Sequence, residues 1–562
     1  MFEWKSKSDD QIADYVVKNQ GRLEEKRRNY EDLWEKIVTI FRPRRYDILG
    51  ERKKGEQYGA DIFDQQPANA LNKFVGGLLG YMVSRRIPWI QFMAQGYRLM
   101  ELDHIKEYCQ SAAEQILYAA NRSNFYSALV PHALDAHSAG TSVMIPTTDE
   151  LRDRVVFDVI HPRDSYIAVD KFGYPNIYHR DLILTAITAV DMFGKEALPV
   201  KIVKDAEGKS PFSEHEFIWA VYPNGDRDTD SLRATDKPYA VFCVLKASRG
   251  ENKSRLVLKD GRDNFPICWR SLRESGASYG TSLAADCLTS ALIANKLGEK
   301  ALIAAHKAVE PPVVYSSTLR PSLHLNPGGR TPVADLNREG VKPIMDRLNW
   351  PITDAQMEKI HAQIDDRFFI RFFEMLSESD LKARTAYEVS QMMGEKAVLM
   401  STIIDTFEQE TIEPAIEVLI AAESAAGRMP DPPDEIIESG GRIDLDYIGP
   451  LAQLQRSLLK SKGIIDSLSI VQAIMALNVE AGWKINWLEL IEEAVIAQGM
   501  PQKLILSDDE VRQIQEAQAQ RQQALEQAEM VEKVGKVIPG LGKPVAPGSP
   551  AEALMGAAEG GV

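Results

Sequence analysis

Cysteine and histidine are scarce in this sequence, which has four cysteines and nine histidines among 562 residues. The cysteines form no C-x-x-C pair and lie far apart, at Cys109, Cys243, Cys268 and Cys287. His132 and His137 are five residues apart, a spacing that does not put them on one face of a helix, and no H-E-x-x-H motif occurs. We therefore expect no disulfide framework, no metal site and no cofactor, and a reducing cytoplasm fits this composition.

Long apolar runs are also absent. The opening residues, Met1–Asp10, are polar and charged and contain no signal-peptide core. The longest candidate membrane segment, Leu71–Val83, is shorter than the ~20 apolar residues that a spanning helix needs. The sequence therefore predicts a soluble protein that does not enter a membrane.

The chain has no excess of basic residues, because 66 lysines and arginines are outnumbered by 81 aspartates and glutamates, for a net charge of −15. A protein that grips nucleic acid tightly usually has a basic balance. An acidic protein can still contact DNA if its purpose is to let the DNA slide.

Helical periodicity dominates the N-terminal and C-terminal parts of the chain, and a strand-like pattern lies between them. Helices are predicted over Asp10–Phe41, after Pro67, and over Ile105–Arg122, Thr281–Lys307 and Asp354–Leu376. Residues 140–270 alternate β-branched and aromatic runs with Gly, Pro, Asn and Asp clusters, which indicates antiparallel strands. Since 44% of the residues are hydrophobic, several cores can form. The predicted fold class is α+β, predominantly helical.

The last third of the chain is predicted to begin with a long helix. Thr385 and Glu388 have the spacing of a capping box, and Gly394 and Pro414 predict bends farther along. Helical character then continues to Met530. The Gly-, Pro- and Ala-rich tail has few bulky apolar residues, so we expect it to be mobile.

Two short motifs suggest enzymes. Residues 276–280 fit G-x-S-x-G, with Ser278 in the position of a hydrolase nucleophile. Polar residues 270–275 separate this turn from the preceding strand, so a helix-entry turn is the better interpretation. Residues 208–210 resemble the end of a phosphate loop, but Val203 occupies the position of its first glycine. A serine hydrolase acting through Ser278 is kept as an alternative.

The predicted helix Asp354–Leu376 has two contrasting faces. Its apolar stripe consists of Met357, Ile360, Ile364, Phe368, Phe372 and Met375. Its polar face carries Asp354, Glu358, His361 and Asp365. Taken alone, this pattern predicts an ordinary surface helix.

Short motifs occur in a recognisable order from about Ala13 to Gln455. In the N-terminal half they are YEDLWEKI at 30–37, DIFD at 61–64, PANAL at 67–71 and HPRDSY at 161–166. Later come Tyr279-Gly280, TAYEV at 385–389 and YIGPLA at 447–452. Together they resemble the head-to-tail connector, or portal, family of short-tailed (podovirus-type) double-stranded-DNA bacteriophages.

The resemblance implies a portal fold with wing, stem, clip and crown regions, arranged as a ring around a central channel and usually a dodecamer. The implied regions are an N-terminal wing at 1–280, a first stem helix at 281–307, a clip at 308–353, a second stem helix at 354–376, a tunnel loop at 377–384, a long wing helix and break at 385–440, a helical crown region at 441–530 and a tail at 531–562. A first stem helix of that length would be about 40 Å long, which suits a channel wall.

The resemblance also implies a function and partners. A portal sits at a capsid vertex of the virion as the conduit for genome packaging and ejection. It is not expected to be an enzyme, because a separate terminase motor drives packaging. Its implied partners are double-stranded DNA, terminase, tail or adaptor proteins, and major capsid and scaffold proteins, with assembly in the host cytoplasm.

The implied tunnel loop contains two basic side chains, Lys382 and Arg384. The resemblance places them towards the channel, where they would contact phosphates without reading bases. Pairing with Glu378 and Asp380 in the same loop is an equally weighted alternative.

Two further groups of site residues follow from the resemblance. Asp354, Glu358 and Asp365 would give the channel an acidic wall past which DNA can slide. The clip surface that docks terminase and adaptor proteins would contain Arg320, Asn326 and Arg330. A helical virion scaffold protein without a DNA channel is the second alternative. A ring with an open central hole would favour the portal over the scaffold protein.

Overall fold

The computed structural model describes residues 3–43, 48–50, 59–94, 99–208, 210–231, 233–247, 253–309, 313–314, 342–343, 350–377, 399–438, 440 and 443–451, together with scattered helical residues between 511 and 525. These residues form a mixed α+β protein, as the sequence predicts. Within the described ranges, no helix is both long enough and apolar enough to cross a bilayer.

Helices make up most of the described chain. They are α1 Asp9–Phe41, α2 Gln66–Met82, α3 Asp103–Arg122, α4 Phe125–Ala139, α5 Ala186–Phe193, α6 Val200–Glu207, α7 Leu283–Val309, α8 Trp350–Arg367, α9 Ile370–Ser377, α10 Glu413–Ala425 and α11 Asp434–Glu438. Residues 399–407 are also helical and continue through a π-helical turn, Glu408–Ile412, into α10.

The strands pair in antiparallel fashion. They are β1 Ile90–Ala94, β2 Thr141–Asp149, β3 Arg154–Ile160, β4 Ser165–Val169, β5 Pro175–Thr185, β6 Glu214–Pro223, β7 Tyr239–Leu245, β8 Arg255–Arg262, β9 Ile267–Arg270, β10 Val313–Val314, β11 Lys342–Pro343 and β12 Ile443–Tyr447. One sheet has the order β4-β5-β6-β7-β8 and another the order β3-β2-β9. β1 pairs with β12, and β10 pairs with β11.

Helix α1 connects the sheets to the helical core. Its 33 residues are about 50 Å long, and a capping box of Ser8 and Gln11 fixes its first turn. Near its start, Ile12 and Val16 pack against the five-stranded sheet. Near its end, Phe41 joins the helical core. This one helix therefore packs against both the five-stranded sheet and the helical core, and so links the two.

The helical core surrounds Phe74 of α2. The rings of Phe368 and Phe373 lie 6.0 Å from the ring of Phe74, in edge-on geometry. Gly77 has no side chain in the space that the Phe373 ring fills, since a Cβ there would lie 2.5 Å from that ring. Aromatic packing on α2 therefore decides where α9 lies.

The predicted helix Asp354–Leu376 is wrong in one respect, because it is two helices. The chain turns between α8 and α9, where Phe369 has φ 53°. This left-handed conformation costs a bulky residue roughly 1–2 kcal/mol. Phe368 before the turn and Phe372 after it are both fully buried in the core. The apolar stripe of the prediction is confirmed, although the straight helix is not.

Gly140 and Gly280 form a close backbone approach at the corner after α4. Gly140 ends α4 with φ +83°, and a Cβ at this position would overlap the carbonyl oxygen of Gly280. The same approach works in reverse, since a Cβ on Gly280 would lie 2.7 Å from the carbonyl oxygen of Gly140. The amide of Gly280 donates to Thr141 Oγ1 at 2.9 Å. The corner after α4 and the turn before α7 therefore fit together only without side chains.

This contact leads to a test. Gly140→Ala should lower the free energy of unfolding by about 3 kcal/mol or more, because it combines an unfavourable φ with a backbone clash. Gly276→Ala is the matched control, since Gly276 has φ +77° but open space around it. It should cost only about 1 kcal/mol. Urea unfolding followed by circular dichroism measures both, and equal losses would show that the close approach contributes nothing.

Candidate functional site

The candidate functional site is the antiparallel pair of α7 and α8, together with the buried junction from which α7 starts. Ser282 caps α7, because its Oγ accepts from the amide of Ala285 at 3.0 Å. The same hydroxyl donates to the carbonyl of Ser138 at 2.7 Å. The first turn of α7 is therefore attached to the end of α4, which fixes where the long helix starts.

A buried ion pair lies beside this junction. Arg270, the last residue of β9, meets Glu410 of the π-helical turn, and their side chains are only 3% and 7% exposed. Arg270 Nε donates to Glu410 Oε1 at 3.2 Å, and the Arg270 amide donates to Glu410 Oε2 at 2.7 Å. Arg270 Nη1 also donates to the carbonyl of Gly173 at 2.8 Å. Both charges are therefore removed from water but well supplied with partners.

Further polar contacts attach the helical residues 399–412 to the same place. Thr406 Oγ1 donates to the carbonyl of Ser271 at 3.2 Å. Thr411 Oγ1 lies 3.4 Å from His132 Nε2. The π-helical turn Glu408–Ile412 accommodates an extra residue, a feature that often occurs at functional sites. Glu410 and Thr406 contact the end of β9 and the residue after it, and Thr411 contacts α4.

His132 and His137 are fully buried in this region, and burial lowers the pKa of each to about 3. Their Nδ1 atoms lie 2.8 Å from Ser142 Oγ and 2.7 Å from Ser271 Oγ, respectively. The two rings are therefore neutral at pH 7 and serve as packing and hydrogen-bonding groups. In the part of the chain that the structure describes, no group of three or more His, Cys, Asp or Glu side chains could hold a metal ion.

The turn containing Ser278 has a structural explanation. Its anchor is Tyr279, which is buried and accepts a hydrogen bond from the amide of Ile167 at 3.1 Å. Burial raises the pKa of Tyr279 to about 12. β9 ends at Arg270, so no strand runs directly into Ser278 as a nucleophile elbow requires. The helix-entry interpretation fits, and no observation favours the hydrolase alternative.

The motif DIFD at 61–64 holds α7 and α8 together. Asn295 of α7 accepts from the amide of Phe63 at 2.7 Å, and its side-chain amide donates to the carbonyl of Asp61 at 3.0 Å. On the other side, His361 Nε2 of α8 lies 3.0 Å from Asp64 Oδ2. The segment thus bridges the two helices near their middle, a role that the motif alone did not reveal.

The predicted wall residues differ in their surroundings. Asp354 and Glu358 are exposed on α8, one helical turn apart. Asp365 is half-buried and accepts from Gln66 Nε2 at 2.6 Å, so it supports the start of α2. The other predicted site residues lie outside the described residues: Lys382 and Arg384 of the tunnel loop, and Arg320, Asn326 and Arg330 of the clip.

Sequence reasoning missed two features of this site. The exposed face of α7 was detectable, because Ile293, Lys296, Lys300 and Ile303 recur at helical spacing. The Arg270–Glu410 pair had no detectable signal, since its members are far apart in the sequence. Nothing in the residues around Arg270 distinguishes it from an exposed arginine.

Comparisons with known proteins agree on one family. Residues 15–506 match the family described as bacteriophage head to tail connecting protein. The chain is 23% identical over 532 residues to a probable portal protein of Bordetella phage BPP-1, covering 93% of this chain and 94% of the relative. It is 21% identical over 519 residues to the portal protein of Salmonella phage epsilon15, covering 91% of each chain.

The buried ion pair can be tested by removing one of its charges. Glu410→Gln should lower the free energy of unfolding by about 3–5 kcal/mol, because the Arg270 guanidinium stays buried without its counter-charge. Glu417→Gln is the control, since Glu417 is exposed on α10, and it should change stability by no more than about 0.5 kcal/mol. Urea denaturation at pH 7 is the measurement, and similar midpoints for both variants would contradict the role given to the pair.

Proposed function

Since this chain belongs to the family of bacteriophage head to tail connecting proteins and is a phage portal subunit, we propose that about twelve copies close into a ring at one capsid vertex. The family is structural rather than enzymatic, forms homo-oligomeric rings and belongs to the virion. The proposed ring is the conduit through which double-stranded DNA is packaged and later ejected.

The proposed partners follow the stages of particle assembly. Scaffold and major capsid proteins surround the ring while the head is built in the host cytoplasm. Terminase docks on the ring during packaging, and tail or adaptor proteins replace it afterwards. The proposed docking surface is the clip, residues 308–353, with Arg320, Asn326 and Arg330 as its polar contacts. The β10–β11 pair supports a clip that folds back on itself at its base.

The hairpin of α7 and α8 is the proposed stem. With 27 residues, α7 is about 40 Å long, and one side of it packs in the core formed by the described residues. The opposite side exposes aliphatic residues, with Leu292 45%, Ile293 47% and Ile303 39% accessible. Contiguous exposed apolar residues of this kind mark interaction surfaces. This face of α7 is the observation that carries the proposed ring.

The ring is tested with purified full-length protein. Native mass spectrometry and negative-stain images should show a closed ring with an open centre. Leu292→Glu/Ile303→Glu should reduce the ring fraction at least tenfold, because it places charge on the proposed interface. Leu151→Glu is the control, since Leu151 is 99% exposed in the β2–β3 turn. Monomers or dimers of the wild-type protein at all micromolar concentrations would refute the ring.

The proposed tunnel loop, residues 377–384, supplies the basic contacts to passing DNA through Lys382 and Arg384. Each ring would present these two side chains once per subunit, so weak phosphate contacts would add up around the duplex. Such contacts weaken as salt rises, because they release counterions from the DNA. They position the DNA without reading its sequence.

Lys382→Ser/Arg384→Ser should leave rings intact but reduce the amount or the retention of packaged DNA. Lys201→Ser/Lys204→Ser is the matched control, because both lysines are exposed on α6. DNA content and leakage are measured in particles assembled with each variant, at low and at high salt. Wild-type filling and retention under both conditions would show that the two loop residues do not act on DNA.

A further inference from the structure

The outer face of α7 carries a stripe that contains both aliphatic and basic residues. The outer stripe consists of Leu292, Ile293, Lys296, Lys300, Ile303 and Lys307, all of them exposed. Their spacing of three and four residues keeps them within about 100° of the helix circumference. Buried residues of the same helix, such as Cys287, Ala291 and Ala294, lie on the opposite face. The outer stripe therefore points away from the core that the described residues form.

The acidic residues Asp354 and Glu358 are exposed on the neighbouring helix α8. Neither they nor Lys300 and Lys307 form an ion pair with any residue that the structure describes. Among the described residues, Lys296 pairs with Glu299 on its own helix, at 2.5 Å. Lys296 and Lys300 of α7 therefore form no ion pair with Asp354 or Glu358 of α8 within the described subunit.

Two contacts define which residues of the antiparallel helices lie at the same height. Asp286 of α7 forms an ion pair with Arg367 of α8. Farther along, Asn295 of α7 and His361 of α8 bind the same segment, residues 61–64. Each helix advances about 1.5 Å per residue. Because the helices are antiparallel, a residue a given number of positions after a contact on α7 lies level, along the helix axes, with the residue the same number of positions before it on α8.

The basic and acidic residues fall at matching heights. Lys300 lies fourteen residues past the first contact and five past the second, which corresponds to positions 353 and 356 on α8. Asp354 lies between these two positions. By the same count Lys296 corresponds to positions 357 and 360, where Glu358 is found.

From this match we propose that Lys296 and Lys300 of one subunit pair with Glu358 and Asp354 on α8 of the next subunit around the ring. Rotation about the axis of a ring leaves the height of every residue unchanged. With the hairpin along that axis, the outer stripe of α7 meets the neighbour's α8 at equal heights. The inference rests on the ring proposed above and names the surfaces that close it.

The aliphatic members of the outer stripe and the charges have different tasks in this interface. Leu292 and Ile303 supply the apolar area that drives association. Exposed ion pairs contribute little affinity, but they select the partner surface and its register. Pairing also covers lysines that would otherwise repeat around a DNA channel and hold the phosphates back.

Two variants test the pairing. One is Lys296→Glu/Lys300→Glu, and the other is Asp354→Lys/Glu358→Lys. Each alone should lose at least tenfold in ring fraction at physiological salt, because like charges meet at every interface. An equimolar mixture should recover rings that contain both variants, because each reversed α7 then meets a reversed α8. Native mass spectrometry reads the composition, and circular dichroism checks the fold of each variant.

The outcomes separate this inference from the ring itself. Rings of wild-type protein alongside a mixture that stays unassembled would refute the pairing and leave the ring standing, as would normal assembly of either variant alone. Pairing within one subunit predicts no recovery on mixing, since each chain keeps its own repulsion. Lys201→Glu/Lys204→Glu on α6, with the same change in charge, should assemble normally. If the outer stripe binds DNA instead, Lys296→Glu/Lys300→Glu would form normal rings with weaker DNA binding.

Discussion

The ion pair between Arg270 and Glu410 is the constraint on which the arrangement of the hairpin depends. β9 leads through the turn at Tyr279 into α7. The helical residues 399–412 follow α7, α8 and α9 in the sequence. The pair therefore closes a loop of 140 residues at its base. The contact of Thr406 with Ser271 and the close approach of Gly140 and Gly280 lie at the same base. A long helix can project in a defined direction only from a base that is fixed in this way.

Buried and exposed charges have opposite roles in this protein. Removing Arg270 and Glu410 from water costs several kcal/mol per ion, so the pair is stable only because each polar atom has a partner. The exposed charges of α7 and α8 have lost little hydration and gain little from any one contact. They are therefore available to pair across the proposed interface between subunits. The difference between the fixed base and the exposed hairpin thus comes from burial: buried charges must have a partner, whereas exposed charges remain hydrated without one.

The sequence predicted those parts of the fold that depend on local periodicity. Helices α1 and α7 were predicted within a few residues, because a regular apolar pattern coincides with burial there. Strands β6 and β7 lie in the region 140–270 that was predicted to form antiparallel strands. The β1–β12 pair was missed, since its strands are far apart in the chain and each has only five residues. The break at Phe369 was missed because tertiary packing around Phe74 outweighs helical preference.

The candidate site was predictable to the same extent. The acidic face of α8 could be read from its spacing, but Asp365 turned out to hold Gln66, which no local pattern indicates. The motif at 61–64 was recognised by resemblance, whereas its role as a bridge between α7 and α8 depends on contacts across more than 200 residues. Local chemistry identified which residues are charged, and only the fold determines which charges already have partners.

A net charge of −15 does not by itself explain how a portal lets DNA pass. Helix α7, the proposed stem, is basic along its outer stripe, so the net charge of the chain and the charge of this surface have opposite signs where DNA is proposed to pass. An acidic wall formed by Asp354 and Glu358 alone would leave those lysines uncovered. The proposed pairing between subunits would resolve the disagreement, because it neutralises Lys296 and Lys300 together with Glu358 and Asp354. Low adhesion to DNA then becomes a property of the closed ring, which no single subunit has.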